Sequence, residues 1–514
     1  MAAGGRASEL DAIADVLSGP VELPATAGCL AHRRSRLLFT VLAMTMLTSC
    51  TVGPDFQRPP PPDVNGFLSP RGDRIPGTAP GADIAARWWE VFGSRELDKL
   101  IEDGIANNAD LAAAEAAVRV AQANALALRG TLFPLINASF DASRQQVPLQ
   151  TLASNAASGA ETYSLHTPQV TVSFVPDVFG GTRRAIESAE AVAEQQAFQR
   201  EAVYITLASN IALAAIQEAS LRGQIAATQR LIDIQNQLLT ILRRQNERGQ
   251  IALPDVVAQE TAVAQARLLL PPLEKQLAQQ RNMLATLTGR FPSELLPAAF
   301  GLRSFRPPRR LPLSLPADLI RQRPDIRAAE ANLHAQNAQV GVAIANRLPQ
   351  ITLTGNAGST ADSMARLFTP GTLFWTIAGN ATQTVFDAGN RYYKQRSAEE
   401  QTAQAAAQYR AVVLAAFQNV ADVLRALQSD ARMVTAATNA EQSAQRSIDL
   451  VRRQVEQGQV SSPVLLNAQQ AYLQTSLARV QAQAARLADI VALHQALGGG
   501  WWNKKPSLPE TTEQ

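Results

Sequence analysis

The chain has 514 residues with 47 Lys and Arg against 44 Asp and Glu, a net charge of +3 that gives no basic face for nucleic acid. Only four histidines are present; His166, His334 and His494 follow the leader, none in a metal-binding or triad-like local motif, so the composition speaks against catalysis. The two cysteines, Cys29 and Cys50, make no disulfide framework.

In chain order, residues 1–49 read as a leader. Arg33, Arg34 and Arg36 precede the apolar run Leu37 to Met46, which meets Leu47-Thr48-Ser49-Cys50. A positive start, an apolar middle and small residues before a cleavage point are the parts of a secretory signal over 33–49. Glu9, Asp11, Asp15 and Glu22 are wrong for its start, so residues 1–32 are read as lying ahead of the true translation start. The Leu-Thr-Ser-Cys ending is similar to the lipobox of bacterial lipoproteins, which implies acylation of Cys50; Thr51 in place of Asp favours the outer membrane by the same resemblance. Residues 50–86 hold Pro54, Pro59 to Pro62, Pro70 and Pro76, and read as a lipidated, semi-rigid extended tether outside any core.

The rest of the chain is one unit written twice. Asn108-Ala109-Asp110-Leu111-Ala112-Ala113-Ala114-Glu115-Ala116 returns as Arg323-Pro324-Asp325-Ile326-Arg327-Ala328-Ala329-Glu330-Ala331, an offset of 325 − 110 = 215 that also carries Pro134 onto Pro349. Arg243 to Ile251 returns as Arg452 to Val460, an offset of 458 − 249 = 209 that also carries Gly289 onto Gly498. Self-similarity on this scale marks repeat architecture and overrides the several domains that the length suggests. The repeats are placed at 87–289 and 316–500, with a linker at 290–315 and a polar tail at 501–514.

Each half is predicted to open with one helix, about Arg95 to Arg129 and Pro316 to Asn346. Strands follow at about 131–147 and 163–178, and at about 349–362 and 371–386. Ile136, Ala138 and Phe140 alternate with Asn137, Ser139 and Asp141; Trp375 and Ile377 alternate with Thr376 and Ala378. One apolar and one small polar face suits a barrel wall between lipid and water. Long helices are then predicted at about 182–248 and 390–457, each roughly 100 Å at about 1.5 Å per residue. Leu231, Ile234, Leu238 and Ile241 step by three and four, as do Val413, Phe417, Val420, Leu424 and Leu427, so each long helix requires helical neighbours. Gly249 and Gly458 suit helix stops, and Pro254 and Pro463 suit restarts, which gives two helical hairpins. The first return helix is interrupted at Pro271-Pro272, which must kink or split it.

Four strands cannot close a barrel, and open edges are not tolerated in hydrocarbon. No stretch after Cys50 reads as a spanning helix, so membrane contact is expected through strands shared between copies. Two copies supply eight strands and three supply twelve; the strand count does not choose.

Cys50-Thr51-Val52-Gly53-Pro54-Asp55-Phe56, Trp88-Trp89-Glu90-Val91-Phe92, the Leu315 to Leu319 run into Arg323 to Glu330, Phe386-Asp387-Ala388-Gly389 and Ala496 to Trp501 together resemble the lipoprotein (NodT) branch of the TolC-like outer-membrane efflux proteins. The resemblance runs from about Arg33 to Trp502. It implies an α+β membrane protein: a homotrimer whose twelve strands form an outer-membrane barrel continued by a periplasmic α-helical barrel. It further implies a passive exit duct coupled through a periplasmic adaptor to an inner-membrane pump of the resistance-nodulation-division type, with no cofactor beyond the lipid on Cys50. In that family the hairpin tips meet the adaptor, here Gly249, Gln250 and Ile251 with Gly458, Gln459, Val460 and Ser461. The periplasmic aperture maps onto Pro463 and Asn467; the family commonly has Asp at the latter, and a neutral amide cannot make a like-charge ring. A type I protein-secretion duct is the alternative use of such a channel. A periplasmic adaptor lipoprotein is a more distant alternative, with one hairpin where this chain has two.

Overall fold

The computed structural model describes residues 51–64, 66–68, 78–146, 162–294, 299–308, 310–457, 459–460 and 462–504. In chain order these form β1 (Thr78–Pro80), α1 (Arg95–Asn107), α2 (Ala109–Gly130), β2 (Leu135–Gln146), β3 (Thr162–Phe174), α3 (Gly181–Glu247), α4 (Leu253–Leu268) and α5 (Leu270–Leu287). The second half supplies β4 (Leu311–Leu313), α6 (Pro316–Gln322), α7 (Pro324–Ala345), β5 (Gln350–Ser359), β6 (Leu373–Thr382), α8 (Asn390–Glu456) and α9 (Ser462–Ala496).

Both long helices are continuous over 67 residues, matching the intervals that lack proline. α4 and α5 part at Leu269 because Pro271 and Pro272 carry no N–H to continue the helical ladder. Each opening helix, read from sequence as one, is two. Asn108 leaves helical geometry at ψ 127°, and its side-chain oxygen accepts from the N–H groups of Asp110 at 3.0 Å and Leu111 at 3.1 Å, capping α2. Pro324 forces the break between α6 and α7 at Arg323, whose ψ of 121° is the extended geometry favoured before proline.

The long helices and their returns pack side by side as a layer, with α1 set against α3. α3 packs against α2 and α7 in one part of its length and against α4, α5 and α9 in another, while α8 packs against α7 and α9. The two ends of the layer are therefore α2 with α4 and α5 on one side, and α8 on the other. A main core between the helices includes Ile211, Ile216, Leu284, Leu319, Val420 and Val491; a second, near the hairpin ends, includes Leu242, Val256, Ile448, Leu465 and Tyr472. Each fully buried aliphatic side chain of this kind contributes about 1.5–3 kcal/mol. One correction to the sequence reading arises here: α3 is long and apolar enough by composition to cross a membrane. Most of that window is buried among helices, with Ile211, Ala212 and Ala215 fully covered, so its apolar character serves packing.

The strands β2-β3-β5-β6 form one antiparallel sheet in that order, and β1 pairs in parallel with β4, tying the end of the tether to the linker between repeats. The chain corner near the C-terminus explains the Gly498-Gly499-Gly500 run. All three have positive φ, and a methyl group on Gly498 would meet the Gln322 carbonyl, on Gly499 the Ile205 side chain, and on Gly500 the carbonyls of Ile84 and Ala85. There Trp501 donates its indole N–H to the Gln322 carbonyl at 2.6 Å and Trp502 donates to Asp83 at 3.1 Å. Trp88 stacks on His494 at 5.2 Å, and burial holds that imidazole down at about 4, hence neutral.

Candidate functional site

Strand register sorts the wall into two faces. Ile136 lies opposite Val172, Val172 opposite Gly355, and Gly355 opposite Ile377; one residue along, Asn137, Thr171, Asn356 and Thr376 make the neighbouring row. Directly opposed residues share a face and successive residues alternate, so the four strands present one mainly apolar surface and one mainly of amides and hydroxyls that also carries Asp141. The apolar surface has no covering among the described residues: Ile377 is 80% exposed, Trp375 74% and Ile136 67%. Phe133, Val385, Phe386 and Tyr393, where strands meet helices, are also exposed. Strands of 10 to 13 residues have the length of membrane-spanning strands, for which about 9–11 suffice. Both sheet edges, β2 and β6, are unpaired among the described residues.

The first hairpin tip is a left-handed helix stop. Gly249 sits at φ 72°, its N–H donates to Asn246 O at 2.8 Å, and the Gln250 N–H donates to Gln245 O at 2.9 Å. Gly249 and Gln250 are exposed, whereas Ile251 is half-buried against the second core. At the second tip Gln459 donates to Gln454 O at 2.8 Å in the equivalent bond, Gln459 is exposed and Val460 packs on the same core. Gly458 and Ser461, like Cys50, lie outside the described residues. Pro463 and Asn467 are exposed on the first turns of α9, with Leu465 between them buried against the tip core. Farther along α9, burial and then the facing Asp430 carboxylate push Asp489 up to about 6. The close acidic pair is thus between α8 and α9 rather than at Asn467, and no local pattern in sequence announced it.

The segment Val52 to Arg58, expected to be a free tether, is a strap docked across both repeats. The Val52 N–H donates to Phe179 O at 3.1 Å, just past β3. Arg184, 4% exposed on the first turns of α3, donates to Val52 O at 3.2 Å, Gly53 O at 3.3 Å, Asp55 at 2.6 Å and Glu187 at 2.8 Å. Burial works against its charge, but the bonds to Asp55 and Glu187 outweigh it, and the guanidinium stays above its ordinary range. Phe56 stacks on His334 of α7 at 4.4 Å, His334 bonds Glu187 at 2.9 Å, and Arg58 pairs with Glu330.

This places the most specific sequence block. Arg323 holds Asp325 with two bonds, at 3.0 and 2.7 Å, and donates to Ala496 O at 2.9 Å; Glu330 receives the strap. The block braces the helix start, the C-terminal corner and the strap.

Comparison with known proteins agrees with this architecture. The profile of the family described as outer membrane efflux protein matches residues 100–290 and 315–499, the two repeats. The pyoverdine export outer membrane protein OpmQ of Pseudomonas putida is 32% identical over 455 residues, covering 87% of this chain and 95% of that protein. The toluene efflux pump outer membrane protein TtgC of Pseudomonas putida is 29% identical, covering 91% and 96%. Among solved structures, the outer-membrane channel OprN superposes with a TM-score of 0.79 at 25% identity over 88% of this chain and 100% of that one. The open state of the Neisseria gonorrhoeae MtrE outer membrane channel gives 0.76 at 26% identity over 88% and 99%. A duplicated chain with a two-faced wall above helical hairpins, matched over both repeats, is a member of the outer membrane efflux protein family.

Proposed function

We propose that this chain is the outer-membrane exit duct of a tripartite efflux system, passive and open to small toxic compounds. Three copies close a twelve-stranded barrel continued by a helical barrel in the periplasm; Cys50 carries the lipid anchor, and the hairpin tips meet a periplasmic adaptor that joins an inner-membrane pump of the resistance-nodulation-division type. The observation that carries this reading is the wall: four antiparallel strands with an uncovered apolar face and two open edges, in a family member whose helices are roughly 100 Å long. The lumen side is mostly uncharged, with Asn137, Thr171, Asn356 and Thr376 in one row and Asp141 as a carboxylate on the same face, which suits a duct that passes varied cargo. The same edges of the helical layer carry exposed apolar residues, Val120 and Leu126 on α2 and Leu414 and Met433 on α8, which fit covering by further copies. The relatives' names span pyoverdine, toluene and antibiotics, so similarity supports export without selecting a cargo.

Deletion of the gene is expected to raise accumulation of a fluorescent efflux dye several-fold, restored by the parent chain. Cysteines at Gln250 and Gln459 are expected to crosslink to an adaptor in intact cells. Unchanged accumulation together with no adaptor crosslink at either tip would overturn the proposal. Asn467→Asp is expected to raise cation preference and alter single-channel conductance in planar bilayers, since it adds one carboxylate per copy near the aperture. Traces identical to the parent would remove Asn467 from the lumen.

A further inference from the structure

The two faces of the first hairpin exchange character at the end farthest from the helices. β2 leaves the end of α2 and β3 returns to the start of α3, so Gln146 and Thr162 mark that outer end. On the apolar side the rows hold Ile136, Ala138, Phe140 and Ala142 along β2, with Val172, Val170 and Pro168 along β3. Beyond these the same side carries Arg144 on β2 with His166 and Ser164 on β3, while the polar side turns to Leu165 and Tyr163. The ladder is unbroken from Leu135 to Gln146, so no bulge turns these side chains around. Arg144 is 144 − 136 = 8 positions above Ile136, roughly 27 Å along the strand at about 3.4 Å per residue and about 20 Å in height at a tilt of about 40°. An outward apolar band is about 25 Å tall, so Arg144 stands near its outer limit, where hydrocarbon gives way to headgroups.

Resting on the reading that this face meets lipid, we propose that Arg144, Ser164 and His166 bind the phosphorylated headgroup of an outer-leaflet lipid of the lipid A kind. Arg144 is exposed and has no carboxylate partner among the described residues. Ser164 lies directly opposite it, and His166 is its diagonal neighbour at about 7–8 Å, a gap that an arginine side chain spans. The guanidinium presents paired N–H donors to phosphate oxygens, the hydroxyl donates beside it and the imidazole adds a ring N–H. His166 is held in place: its backbone exchanges bonds with Ala361 at 2.9 and 3.1 Å and its ring stacks on Phe140 at 6.2 Å. Its Nδ1 is covered and unpartnered among the described residues, which leaves Nε2 to meet a ligand. No carboxylate stands on the apolar side of any of the four strands to repel an anion; Asp141 faces the other way, and Asp362 beyond β5 is held by Arg366 at 2.9 Å. The same donors would take a free phosphate. The Phe140, Pro168 and Val170 surface directly below them commits the site to a phosphate that carries acyl chains.

The assembled channel, purified in detergent, is titrated with fluorescent lipid A. Arg144→Ala is expected to weaken binding about tenfold and Arg144→Lys about threefold, since a single ammonium replaces the paired donors. Arg366→Ala, which removes a cation from the adjoining loop, is expected to leave binding unchanged. Inorganic phosphate and a phosphate-free glycolipid with the same acyl chains are both expected to compete poorly. An equal loss in Arg366→Ala would overturn the site in favour of general surface charge, and parent affinity in a chain carrying both Arg144→Ala and His166→Ala would overturn it outright. Displacement of lipid A by equimolar inorganic phosphate would overturn the lipid as ligand. Heat-modifiable migration of the same samples separates the two readings: a parent chain without it means that the wall does not meet lipid, whereas normal migration with unaltered binding in the variants removes the headgroup site alone.

Discussion

Ile377→Arg is expected to abolish the heat-modifiable, membrane-retained species, while Thr376→Arg, one residue away, leaves it intact. Ile377 is 80% exposed in the row with Ile136 and Val172, and Thr376 stands in the row with Asn137 and Thr171. An arginine on the lipid face near the midplane costs about 2–4 kcal/mol, and a ring of copies incurs it once per copy. The same guanidinium on the lumen side stays hydrated and changes only the charge of the passage, expected as a fall in cation preference. The measurement compares heated and unheated samples on gels after carbonate washing. Equal assembly of both variants would mean that the apolar face does not meet lipid.

The second large effect is expected at Arg184. Arg184→Ala removes four bonds from a side chain that is 4% exposed, leaves the Val52 and Gly53 carbonyls without that donor and leaves Glu187 with His334 alone of its two partners. Losing a buried charged donor costs about 3–5 kcal/mol where the partner stays buried, and less here because the Asp55 side chain is 90% exposed. A loss of about 2–3 kcal/mol follows, read as a lower temperature of dissociation and faster hydrogen exchange of the Val52 amide, which donates to Phe179 O. Asp55→Ala is the counter-test: its carboxylate is mostly solvated, so a change below about 1 kcal/mol is expected. Arg184→Lys is expected to rescue poorly, since one ammonium cannot reach the strap carbonyls and both carboxylates in the guanidinium's planar spread. Exchange of the Val52 amide at the parent rate in Arg184→Ala would show that the strap is held by other contacts.

Features set by neighbouring residues were legible without the structure. The 67-residue helices follow from intervals without proline and with apolar steps of three and four. The breaks at Gly249 and at Pro271-Pro272 follow from backbone chemistry carried by those residues alone. Alternation placed the four strands within a few residues of their observed ends. The missed splits at Asn108 and Arg323 are informative, since both lie in the repeated block that had been read as helical throughout. Asn108 caps by turning its side chain back to the next turn, and Pro324 merely starts a helix; either residue is tolerated next to a helical pattern, so only the observed backbone shows the interruption.

By itself the sequence determined the duplication, the helix and strand spans, the two-faced character of each strand and the family, because all of these are written in spacing and residue type along the chain. Tertiary structure alone decided that the strands lie in the order β2-β3-β5-β6, that Gly355 faces Val172, and that the Val52 to Arg58 strap is gripped by Arg184, His334 and Glu330. Those partners lie some 130 to 280 positions apart, and no local propensity acts over such a distance. Which distant surfaces meet is settled by burial and hydrogen-bond satisfaction in the assembled chain.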